Sequence, residues 1–145
     1  MSADNGIYIL KTKDQYRVAH IRAIENLYWS AILSRYGGYY DCSKLIPTRV
    51  VEIWGDCKFT RDENKALDIA HKWASKLPAC EYGVCVVTDN RTWKQILKDA
   101  QEYAKTEIDI INKYDNGDYW NIKKLQKIAN GIYLSEWTNR KIVKQ

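Results

Sequence analysis

Glycine is scarce in this sequence, seven residues in 145, and none falls in a GxGxxG, GxxxxGK[ST] or GxSxG pattern. A backbone loop that cradles phosphates, or a strained turn that presents a nucleophilic serine, is therefore not expected. Proline occurs only at Pro47 and Pro78, so no proline-rich linker divides the chain, and one domain over residues 1–145 is expected. No apolar run approaches the roughly 18 residues of a membrane span, and no apolar stretch follows Met1. No membrane partner and a cytoplasmic location follow as expectations. The cysteines Cys42, Cys57, Cys80 and Cys85 form no CxxC pair, and only His20 and His71 could join them around a metal. Free thiols, no metal and no cofactor are expected.

Tyrosine and tryptophan are abundant by contrast. Eleven Tyr and six Trp stand against one Phe, so most aromatic rings carry a hydrogen-bonding edge suited to half-buried or ligand-facing positions. Charge is uneven as well. Residues 120–145 hold Lys123, Lys124, Lys127, Arg140, Lys141 and Lys144 against Glu136 alone, while residues 1–119 carry 17 basic and 17 acidic side chains. The chain thus reads as a neutral body followed by a basic C-terminal helix, and a partner drawn by charge meets that helix first.

The pattern along the chain predicts an α/β (mixed α+β) fold. Residues 7–21 form two β-rich runs around a polar connection, a hairpin with apolar residues on both faces. Ile24, Leu27, Tyr28, Ala31 and Ile32 recur at helical spacing, with Gly37-Gly38 at the stop. The run TRVVEIW, 48–54, reads as a short β-branched strand. Thr60 and Glu63 match a capping box opening a helix with the stripe Ala66, Ala70, Trp73 and Leu77, ended by Pro78. EYGVCVVT, 81–88, reads as a central strand buried on both faces, the second strand of a parallel crossover unit. Thr92 and Gln95 match a second capping box, before a helix with the stripe Trp93, Leu97, Ala100, Ala104, Ile111 and Tyr114. A final helix repeats Ile122, Leu125, Ala129 and Ile132. The predicted order is β-β-α-β-α-β-α-α, a small mixed four-stranded sheet with helices packed on it.

Two surfaces stand out. Tyr36, Tyr39 and Tyr40 surround Gly37-Gly38 and could stack on a planar ligand, although such glycines ordinarily cap a helix and such tyrosines fold over a sheet edge. Trp120, Lys123, Lys124 and Lys127 combine rings with cations, as phosphate or acidic-protein binding requires, or as the solvated face of a packed helix also would. Catalytic readings are weaker. Cys42 or Cys80 with His20 or His71 could supply a nucleophile and base for a small hydrolase, but no motif places them together. Asp56, Asp62, Glu63 and Asp68 could supply oxygens to a divalent metal, yet Asp62 and Glu63 sit where carboxylates complement a helix dipole.

The stretches SADNGIYILKTKDQYRVAHIRAIENLYW and TRVVEIWGDCKFTRDENKALDIAHKWASKLPACEYGVCVV, about half the chain, resemble small proteins encoded by bacteriophages and prophages that share a SADNGIYIL-type N-terminus. The resemblance brings no catalytic residues with it. It implies a non-enzymatic accessory protein in the bacterial host cytoplasm that binds and inhibits a component of antiviral defence. The partner would be a protein or ribonucleoprotein complex, or a sequestered nucleotide second messenger. Direct nucleic-acid binding by the C-terminal helix is the alternative, and a homodimer is compatible with the neutral body.

Overall fold

The computed structural model describes residues 5–22, 45–76, 83–114 and 119–132. Their elements are β1 (Asn5–Lys11), β2 (Tyr16–Arg22), α1 (Pro47–Trp54), β3 (Phe59–Thr60), α2 (Glu63–Lys76), β4 (Val84–Thr88), α3 (Trp93–Tyr114) and α4 (Tyr119–Ala129). They build an α/β fold in which helices pack on a mixed four-stranded sheet of order β3-β2-β1-β4. The helix expected around Ile24–Ile32 lies outside the described residues.

β1 and β2 form the expected hairpin, with Ile9 opposite Val18. Its turn closes on Thr12, whose N–H donates to Gln15 O at 2.9 Å and whose hydroxyl accepts the Gln15 N–H at 3.0 Å. Both faces of β1 are buried, Ile7 and Ile9 on one and Tyr8 and Leu10 on the other. α2 covers the first face with Ala66, Ala70 and Trp73, and Lys11 reaches Glu63 there at 3.7 Å. α1 lies on the other side, between β2 and the pair α3 and α4. Trp54 is wholly buried there, and its indole N–H donates to Tyr8 O at 3.1 Å.

Residues 48–54 are therefore a helix, not the strand expected from their sequence. Pro47 sits in the first turn after an extended Ile46, and Gly55 N–H closes the last turn on Val51 O at 2.8 Å. The misreading has a physical cause. Val50, Val51, Ile53 and Trp54 are β-branched or aromatic, and in a run of eight residues that strand preference hides the helical spacing of Pro47, Val50, Val51 and Trp54 around the polar pair Arg49 and Glu52. The strand position passes to β3, two residues paired antiparallel with Tyr16 and Arg17.

β4 also departs from expectation. It begins at Val84, pairs parallel with β1 and, among the described residues, ends the sheet as an edge strand and not a central one. Its expected parallel neighbour at 48–54 is helical, which leaves β1 to fill that role. Val86 is 53% exposed as a result.

Capping chemistry explains the helix starts. At α2 the cap is Asp62, whose Oδ1 accepts the N–H groups of Asn64 at 3.0 Å and Lys65 at 3.4 Å. The expected Thr60–Glu63 box does not form, because Thr60 belongs to β3 and its hydroxyl accepts the Asp62 N–H. The Thr92–Gln95 box does form: Gln95 N–H donates to Thr92 Oγ1 at 3.2 Å, and Thr92 N–H to Gln95 Oε1 at 2.9 Å. α4 stops at Ala129, and residues 133–145 of the helix expected over 120–145 lie outside the described residues. Gly131 (φ +82°) takes the left-handed position, with Ile132 N–H on Lys127 O at 2.9 Å and Gly131 N–H on Ile128 O at 3.0 Å.

Candidate functional site

The inner side of α4 carries Leu125 and Ile128, both buried against the α3 side of the core. Lys123 and Lys127 stand exposed, one turn apart, on the same helix. Lys124 differs from both. Its Nζ donates to Glu52 Oε1 at 2.8 Å, while Arg49 Nη1 donates to Oε2 of the same carboxylate at 2.9 Å. Glu52, on the buried helix α1, is only 8% exposed. Two cations therefore neutralise it, and Lys124 ties α4 to α1.

Glu107 of α3 belongs to the same cluster. It is 7% exposed, and its Oε1 accepts a 3.3 Å hydrogen bond from the Thr48 hydroxyl. Burial pushes its carboxyl up to about 7; the Glu52 charge adds to the effect, against the Thr48 bond and the Arg49 charge. The sequence reading overlooked Glu107. Its signal was its place in the buried series Trp93, Ile96, Ala100, Ala104, Glu107 and Ile111, where steps of three and four put a carboxylate on the core stripe. Ile96, fully buried, takes the place that the sequence reading gave to the half-buried Leu97.

A second ionic centre lies at the hairpin end of the sheet. The Arg17 guanidinium sits 3.8 Å from the Trp93 ring centroid and donates to Gln15 Oε1 at 2.7 Å and to the carbonyls of Trp54 and Cys57. Burial lowers its pKa to about 10, so it stays protonated at neutral pH. Asp14 Oδ1 accepts the Trp93 N–H at 3.0 Å, filling a vacant donor at the start of α3. Burial alone would raise the Asp14 pKa; the hydrogen bonds from Trp93 and Thr12 outweigh it and hold the carboxyl below its usual range. Arg91 bridges Asp89 at 2.7 Å, Asp99 at 3.1 Å and Leu45 O at 2.9 Å, binding the segment before α1 to the β4–α3 connection.

Among the residues singled out from sequence, Lys123, Lys124 and Lys127 come together on α4. Trp120 lies in the same helix. Tyr36, Tyr39, Tyr40, Arg140, Lys141 and Lys144 lie outside the described residues, as do Cys42 and Cys80. His20 is half-buried, and burial holds its pKa below the ordinary value, whereas His71 is exposed. Among the described residues no group of three or more His, Cys, Asp or Glu could hold a metal ion, and Asp62 is committed to its cap. Likewise no described helix is long and apolar enough to cross a membrane. No protein-family model, curated protein or solved structure matches this chain.

Proposed function

We propose that this protein works by binding, as a phage accessory protein that engages and inhibits a component of host antiviral defence. The observation that carries the reading is the split among the α4 lysines. Lys124 is spent on the core, whereas Lys123 and Lys127 project from a helix that this tie holds in place. A cationic pair on an anchored helix suits an acidic protein surface or exposed phosphates, because little conformational freedom is lost when the partner arrives. Trp120, Tyr36, Tyr39 and Tyr40 are the aromatic members of the proposed contact set, placed there by sequence alone.

The test is the double variant Lys123→Glu with Lys127→Glu, assayed for inhibition of the host defence while far-UV circular dichroism and the melting temperature monitor the fold. Inhibition is lost and the fold retained if the α4 face is the working surface. Undiminished inhibition by the folded variant rejects that role. The nucleic-acid alternative uses the same lysines and is tested separately by mobility shift. Two phosphate contacts would give a log–log salt slope of about −2 on duplex DNA, and no retarded complex at low salt would reject it.

A further inference from the structure

The two edges of the sheet are finished in different ways. β3 is two residues long, flanked by Lys58 and Arg61, and its Phe59 ring has the Arg17 and Arg61 guanidiniums 5.6 and 5.5 Å from its centroid. A short, cationic edge is a poor template for another strand. β4, by contrast, is five residues, Val-Cys-Val-Val-Thr, with no charge, proline or glycine. Among the described residues it has β1 on one side and no strand on the other.

The ladder fixes which backbone groups face outward. Ile7 N–H donates to Gly83 O and Asp89 N–H donates to Lys11 O, both at 2.8 Å, so residues 83 and 89 point toward β1. Alternation along a parallel strand then turns the N–H and C=O groups of Val84, Val86 and Thr88 away from it. Val86 is the middle residue of β4, and its side chain is 53% exposed.

We propose that β4 is a homodimerisation edge, pairing antiparallel with β4 of a second copy about a two-fold axis at Val86. In that register Val86 faces its own equivalent, and Val84 faces Thr88 of the second copy. All three outward-facing positions then find partners, giving about six ladder hydrogen bonds. The strand is suited to its own copy because nothing in it repels an identical strand: no like charges meet across the axis, and all three outward positions are β-branched. It carries no charge with which to select a foreign strand. The arrangement joins two four-stranded sheets into one of eight. It also closes at two copies, since the remaining edges are the blunted β3 strands.

The experiment is analytical ultracentrifugation of the wild type, Val86→Lys and Val86→Pro at matched micromolar concentrations, with circular dichroism as the fold control. Proline at position 86 removes an outward donor and no bond to β1, and lysine places like charges across the axis. The wild type is dimeric and Val86→Lys dissociates roughly 100-fold more readily while retaining its spectrum. Val86→Pro behaves likewise; if it fails to fold, Val86→Lys decides. A wild-type monomer overturns the proposal, and if its Val84, Val86 and Thr88 amides resist hydrogen exchange, another segment of the chain covers the edge. A dimer unchanged by Val86→Lys, or growth beyond two copies, overturns it equally.

Discussion

Replacing Glu107 by Gln tests the buried cluster most directly. The folded chain holds the carboxyl proton up to a pKa of about 7 against 4.5 for the free group, mainly because ionisation at this site forfeits hydration. Between those values the folded state keeps a proton that the unfolded state has released. Stability from this group is therefore greatest below pH 4.5, falls as pH rises through the window, and stays reduced above pH 7. A shift of about 2.5 units corresponds to roughly 3 kcal/mol. Glutamine keeps the shape and can still accept the Thr48 hydroxyl hydrogen bond, but it never ionises. Glu107→Gln should exceed wild type by about 1 kcal/mol at pH 5 and by about 3 kcal/mol at pH 8. Urea denaturation of both proteins from pH 5 to 8 measures the difference. Other titrating groups, such as His20 with its opposite dependence, are common to both and cancel. Parallel stability profiles for the two proteins would refute the assignment of Glu107 as a buried, proton-holding carboxyl.

The other substitutions separate structural from surface roles. Lys124→Met should lower stability by about 1–2 kcal/mol in the same denaturation assay, since Glu52 loses Lys124 but keeps Arg49; a neutral result would mean the tie contributes nothing to α4 docking. Asp62→Ala should cost about 1 kcal/mol and Thr60→Ala clearly less, because Asp62 supplies the α2 cap; the reverse ranking would restore the Thr60 capping box.

What was legible in the sequence was local. The hairpin shows because its turn, residues 12–15, closes on itself through Thr12 and Gln15. The Thr92–Gln95 box and the Ala66, Ala70 and Trp73 stripe show because capping and amphipathicity act within a turn or two. Of the candidate contact set, the α4 lysines were visible as a charge excess, but nothing local distinguished Lys124 from its neighbours. That distinction comes from Glu52, 72 residues away in the chain.

The sequence by itself determined the opening hairpin, the helices that follow Asp62 and Thr92, the mixed α/β class and the basic character of α4, since each rests on short-range periodicity or composition. Tertiary structure alone decided that Pro47–Trp54 is a helix, that β4 lies at the edge, and that Glu107 is a core carboxyl with a near-neutral pKa. The reason is common to all three. What covers a short β-branched run decides between helix and strand, strand order depends on pairings between distant segments, and the cost of ionising a carboxyl depends on what packs around it.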